Sequence, residues 1–270
     1  MSSPSHPSEE APFIEVTGVK KSLGTQEILR GVDLQIRRGE TMVVLGRSGE
    51  GKSVFLKHLI GLMTPDEGSI RVDGEEIVGI SERRLLKSVR RKVGVLFQDG
   101  ALFDSMTVAE NVAFPLRERG IRDVSVLLEK VEKALSVVEL DAHMEKMPIN
   151  ISGGMRKRVA LARAIIAQPE CILYDEPTAG LDPVVADSID HLILRLQREL
   201  KVTSVVVTHD MKSVFKVATR VAYLRDGTIY FLGTPEELRE HPDPKIRNFI
   251  EGRSEETLRE EAEKTRQKER

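Results

Sequence analysis

Thr41-Met42-Val43-Val44-Leu45-Gly46-Arg47-Ser48-Gly49-Glu50-Gly51-Lys52-Ser53-Val54-Phe55 is the stretch that decides the fold. Residues 42–45 are all apolar and run straight into Gly46, and apolar positions then recur with helical spacing at Val54, Phe55, Leu59 and Leu62. Strand, glycine-rich loop and helix in that order is the setting a phosphate-binding loop needs. Glycines let backbone N–H groups converge on phosphate oxygens beside the positive start of a helix. In such a loop Lys52 reaches the β- and γ-phosphates of a nucleotide and Ser53 holds Mg²⁺. Gly46, Arg47, Ser48, Gly49, Glu50, Gly51, Lys52, Ser53 and Val54 are the candidate nucleotide contacts.

Around this stretch, strands and helices alternate. The pattern predicts short strands at 13–16 and 32–36 with a turn at Leu23-Gly24-Thr25, and a hairpin over 67–77 turning at Asp73-Gly74. Further strands are expected at 93–97, 171–174 and 204–207, and a last hairpin at Asp226-Gly227. Helices are expected over 52–62, 123–139 and 152–167. Another carries the apolar stripe Ile189, Leu192, Ile193, Leu196 and Leu200. Residues 99–115 read as irregular. This alternation argues for an α/β fold with a mainly parallel sheet, an antiparallel β part at the N-terminus, and a helical insertion over about 99–163.

Open parallel sheets bind ligands at the carboxyl ends of their strands, so residues just past those ends are the next candidates. Asp175 and Glu176 follow an apolar strand. Asp175 suits a magnesium shell, and Glu176 could orient or deprotonate an attacking water. His209 ends the strand 204–208 on the same edge, placed to touch a γ-phosphate. Gln98 ends another strand, placed to sense the metal and the water.

A second glycine-rich helix start lies at Ile151-Ser152-Gly153-Gly154-Met155. Ser152 alone would be an ordinary N-cap. Two glycines just inside a helix, however, cost about 1 kcal/mol each relative to alanine. Close approach of another backbone or of a phosphate would explain them, and Arg156, Lys157 and Arg158 add positive charge there. Asp182-Pro183 reads as an N-cap followed by proline at the first helical position.

Bulk properties set the frame. The chain has 270 residues, a formal net charge of −2 and a single cysteine. That charge gives no support to a broad nucleic-acid surface. Lone Cys171 excludes an internal disulfide, fits a reducing compartment and reads as a small core residue. No apolar run approaches the roughly 18 residues that span a bilayer, so membrane contact is expected only through partners. Residues 1–12 carry no signal-like apolar core and read as a disordered lead-in. Residues 251–270 are almost wholly charged, and the pairs Glu255/Arg259 and Glu260/Lys264 are spaced to support a helix.

Taken in order, these elements resemble an ATP-binding-cassette (ABC) nucleotide-binding domain over about 13–252. The resemblance rests on the phosphate loop, the glutamine loop at Gln98, the signature 151–155, the strand ending in Asp175-Glu176, the loop Ala179-Gly180-Leu181-Asp182 and the switch His209. It implies a P-loop NTPase (RecA-like) core and a head-to-tail dimer of two copies with two ATP molecules between them. Each ATP would then touch Lys52 of one copy and Ser152, Gly153 and Gly154 of the other, with Asp182 near the same contact. Leu23 falls where the family usually stacks an aromatic on adenine, so weaker base discrimination is expected.

Met155 replaces the usual glutamine. Together with Val95-Leu96-Phe97-Gln98-Asp99-Gly100-Ala101-Leu102-Phe103-Asp104-Ser105-Met106 and Asn111-Val112-Ala113-Phe114-Pro115-Leu116, it is similar to the ATPases of Mce/Mla-type lipid transporters. That resemblance implies an integral-membrane permease, an MCE-domain lipid-binding protein and a STAS-type regulator as partners, at the cytoplasmic face of a bacterial inner membrane. A transporter of a small polar solute is the alternative, and a non-transport ABC ATPase a more distant one.

Overall fold

The computed structural model describes residues 11–253. The first half of the chain forms β1 (Ile14–Leu23), β2 (Gln26–Ile36), β3 (Thr41–Leu45), α1 (Lys52–Leu59), β4 (Glu67–Val72), β5 (Glu75–Glu76), α2 (Glu82–Lys87), α3 (Val89–Lys92) and β6 (Val93–Leu96). Three helices follow, α4 (Val108–Glu118), α5 (Val124–Val137) and α6 (Gly153–Ile165). The remainder is β7 (Cys171–Asp175), α7 (Pro183–Leu200), β8 (Thr203–Thr208), α8 (Met211–Val217), β9 (Arg220–Arg225), β10 (Thr228–Gly233), α9 (Pro235–Arg239) and α10 (Pro244–Ile250).

Six strands form one sheet in the order β10-β9-β3-β8-β7-β6. All neighbours in it are parallel except the β9–β10 hairpin. The register aligns the carboxyl ends, with Leu45 opposite Thr208, Asp175 opposite Val207 and Leu96 opposite Tyr174. Gly46, Gln98, Glu176 and His209 therefore leave the sheet along one edge. The four remaining strands make an antiparallel sheet, β2-β1-β4-β5.

The central strands are apolar along their whole length because both faces are covered. Val43, Leu45, Ile172, Tyr174 and Val206 pack in one core with α4, α5, α6 and α7. Met42, Val44, Cys171, Leu173, Val205 and Val207 pack in the other with α1 and the antiparallel sheet. Cys171 is fully buried, and burial pushes its thiol pKa up, as suits a core residue.

Several elements differ from the sequence reading. β1 and β2 are longer than 13–16 and 32–36, because polar pairs such as Lys20 with Arg30 and Ser22 with Glu27 continue the ladder beyond the apolar alternation. α1 stops at Leu59, short of 62, and Gly61 turns with φ of +64° just beyond it, which favours glycine. The stretch read as irregular holds α4. Thr107 and Glu110 form a reciprocal capping box at its start, and Val108, Val112 and Leu116 are buried below. Pro115 inside that helix is what obscured it. α2, α3, α8, α9 and α10 also escaped the apolar periodicity, being four to seven residues long. α10 is held by Phe249, which stacks on Tyr223 of β9 with ring centroids 4.8 Å apart. The lead-in up to residue 10 and the charged pairs beyond residue 253 lie outside the described residues.

Candidate nucleotide site

The loop 46–51 joins β3 to α1, and its backbone is shaped by its neighbours. A Cβ on Gly46 would meet the Leu224 carbonyl oxygen at 2.7 Å. Gly51 has φ of +90°, and a Cβ there would meet the Ile28 side chain at 2.6 Å. Glu50 ties the loop to the last hairpin, its carboxylate accepting from the Asp226 N–H at 2.8 Å.

Lys52 is buried, and its ammonium donates to the carbonyls of Gly46 and Arg47 at 2.9 and 3.0 Å. It also lies 3.5 Å from Glu176 Oε1. Ser53 donates its hydroxyl to Asp175 Oδ1 at 2.8 Å. Burial raises the Asp175 pKa, the Ser53 hydrogen bond opposes that rise, and the Glu176 charge adds to it. Removal of a carboxylate from water is unfavourable unless a cation is close. A small hard cation beside Ser53 and Asp175 fits this pair.

Glu176 is held in the left-handed region with φ of +47°, uncommon for a residue with a side chain. Backbone strain of about 1–3 kcal/mol tends to cluster at functional sites. Its N–H donates to the Val207 carbonyl at 2.9 Å. Its Oε1 lies 2.9 Å from His209 Nδ1, while the rest of the histidine is exposed. Lys52, Ser53, Glu176, His209 and Gln98 thus line one cavity of about 270 Å³, with Ser48, Gly49, Gly51, Val54, Ile28 and Ala179 completing it. Ile28, on β2, was not expected. Nothing in its local sequence marks it, since only the packing of the antiparallel sheet on the loop brings it there.

Ser152 caps α6, its hydroxyl accepting from the Met155 N–H at 3.2 Å. Gly154 has a reason within its own chain, because a Cβ there would meet Val185 Cγ1 at 2.4 Å. A Cβ on Gly153 would make only ordinary contacts, its nearest neighbours being Arg156 and Leu181 at 3.8 Å. Ser152, Gly154 and Met155 border a separate cavity of about 260 Å³, which shares no residue with the one at the phosphate loop. Asp182 caps α7 through the N–H groups of Val184 and Val185 and lines neither cavity. Within one chain, then, Ser152, Gly153, Gly154 and Asp182 are not brought onto the phosphate-loop cavity.

A third hollow, about 320 Å³, lies between β6 and the helices α4 and α6, bordered by Phe97, Phe103, Phe114, Arg119 and Arg163.

Residues 29–179 match the family model described as ABC transporter. The chain belongs to that family. As an ABC ATPase it hydrolyses ATP and couples this to transport. Over 240 residues it is 43% identical to the probable ribonucleotide transport ATP-binding protein mkl of Mycobacterium leprae, covering 89% of this chain and 69% of that one. It is 38% identical to the intermembrane phospholipid transport system ATP-binding protein MlaF of Escherichia coli, covering 90% of each. The sulfate/thiosulfate import ATP-binding protein CysA of Bacillus cereus is 39% identical, with 88% of this chain and 66% of that one covered. Among solved structures, the dimeric ATP-binding cassette MJ0796 in a post-hydrolysis state with ADP and phosphate superposes with a TM-score of 0.76 at 33% identity. That match covers 82% of this chain and 98% of MJ0796. No described helix is long and apolar enough to cross a membrane, and ABC ATPases pair with membrane permeases.

Proposed function

We propose that this ABC ATPase powers movement of phospholipids or other hydrophobic molecules between bacterial membranes, from the cytoplasmic face of the inner membrane. The observation that carries this reading is the MlaF match, which spans 90% of both chains. Met155 and the run 95–106 support it as subfamily features.

In the proposed mechanism the loop 46–54 wraps the phosphates, and Lys52 lies against the β- and γ-phosphates. Ser53 and Asp175, with Gln98, would hold Mg²⁺, which when bound neutralises phosphate charge. Their oxygen donors suit that ion, which keeps few protein ligands and takes others from phosphate and water. Glu176 orients and deprotonates the attacking water, and His209 holds Glu176 while facing the γ-phosphate. Ser152, Gly153, Gly154 and Asp182 act on the nucleotide held by the other copy. Leu23, exposed at the end of β1, offers no aromatic ring for adenine to stack on, so base discrimination is weaker. The insertion around residues 98–114 passes closure to a permease helix seated in the hollow beside Phe103 and Phe114.

The relatives named for ribonucleotide and for sulfate transport favour a second reading, in which the cargo is a small polar solute. Purification of the native complex separates the two. The lipid reading expects a permease, an MCE-domain protein and bound phospholipid to co-purify, with a STAS-type regulator among the partners. ATP turnover should then depend on the MCE-domain protein. Recovery of a soluble solute-binding protein with no phospholipid would overturn it.

A further inference from the structure

Lys157 lies on α6, one turn beyond Gly153, and only 6% of its surface is exposed. Its ammonium donates to the carbonyl of Glu176 at 3.1 Å and to the carbonyl of Gln98. Both acceptors sit just past the ends of parallel strands, where a backbone carbonyl has lost its ladder partner. Both also belong to residues that line the cavity at the phosphate loop. Burial lowers the Lys157 pKa, while Asp99, Asp175 and Glu176 pull it back towards the charged form. A buried ammonium is costly unless its donors are met, and here two carbonyls meet two of its three. Water could satisfy such carbonyls separately, but it would not fix them to each other and to a helix.

Glu176 is the residue that most needs such a clamp. Its backbone is left-handed, and its N–H is already committed to Val207. A second bond at the carbonyl fixes the peptide plane on the other side, and with it the direction of the side chain. Reaction geometry is sensitive at this scale, since a misplacement of about 1 Å can cost roughly a hundredfold in rate.

We propose that Lys157 is a positioning residue for hydrolysis: its ammonium clamps the backbones of Gln98 and Glu176 to α6 and so aims the Glu176 carboxylate. The proposal rests on Glu176 acting as the base, as set out above. It assigns Lys157 no contact with nucleotide.

Steady-state ATP hydrolysis by the full chain tests it, comparing wild type with Lys157→Met and Lys157→Arg. Methionine keeps the length of the side chain and removes its donors. We expect it to lower kcat roughly ten- to a hundredfold while KM for ATP moves less than about twofold. Arginine keeps charge and donors and should restore most of the rate. In a Glu176→Gln background, adding Lys157→Met should lower the residual kcat little further, because the carboxylate it aims is already gone. Should methionine leave the chain unfolded by circular dichroism, Lys157→Leu, which also lacks donors, carries the same expectation of reduced kcat at unchanged KM. Wild-type kcat in the methionine or leucine variant, or a loss confined to KM, would overturn the proposal alone. If Glu176→Gln itself hydrolyses ATP at the wild-type rate, the assignment of the base fails, and this proposal fails with it.

Discussion

Asp190 shows how one buried carboxyl links stability to pH in this chain. It lies on α7 with 4% of its surface exposed. Its Oδ2 accepts from the Ser213 hydroxyl at 2.9 Å, and Oδ1 has no partner. Lys216, Asp210 and Asp187 supply the surrounding charge, but burial dominates and pushes the carboxyl up to about 6. An unfolded chain releases that proton near pH 4. Between about pH 4 and 6 the native state therefore binds more protons than the unfolded state, and stability falls as pH rises through that window. Above it the full cost is present. Asp190→Asn keeps the shape without the charge and should stabilise the protein by up to about 3 kcal/mol at pH 8, with little effect near pH 4. Thermal melts of both proteins at the two pH values measure this. An equal gain at both would show that the carboxyl proton is not the cause.

At the scale of elements, the two glycine-rich helix starts differ in what their glycines are for. Those at α1 give way to Ile28 and to the Leu224 carbonyl. At α6, Gly154 gives way to Val185, a stiff side chain of the following helix. Gly154→Ala should therefore be destabilising by about 1–2 kcal/mol, overpacking outweighing the gain of about 1 kcal/mol in helix propensity. Adding Val185→Ala should recover part of that loss in urea unfolding. A single Gly154→Ala variant more stable than wild type would contradict the packing argument. The sequence reading expected an approaching backbone or phosphate here. It could not foresee Val185, which lies 31 positions on and arrives only through the α6–α7 packing. The buried parallel strands were legible because covering both faces demands an unbroken apolar run. α4 was not, because its capping box and its Pro115 point in opposite directions. Lys157 looked like one more positive charge at a helix start, since sequence alone does not say which of Arg156, Lys157 and Arg158 turns inward.

Across the whole molecule, the parallel sheet gathers Lys52, Asp175, Glu176, His209 and Gln98 onto one edge, while Ser152 and Gly154 border a cavity of their own. On the proposed mechanism, one chain carries two halves of a nucleotide site that do not meet in it. Two copies placed head to tail would bring each half to its complement, as ABC ATPases dimerise. On this account ATP is the joint between copies, and hydrolysis at Glu176 releases it. Sedimentation of the Glu176→Gln protein, with and without saturating Mg–ATP, tests that claim most directly. We predict a monomer without nucleotide and a stable dimer with Mg–ATP that Ser152→Phe, blocking the start of α6, abolishes while each copy still binds ATP. A Glu176→Gln protein that binds Mg–ATP and stays monomeric, or a dimer that forms equally well without nucleotide, would contradict it.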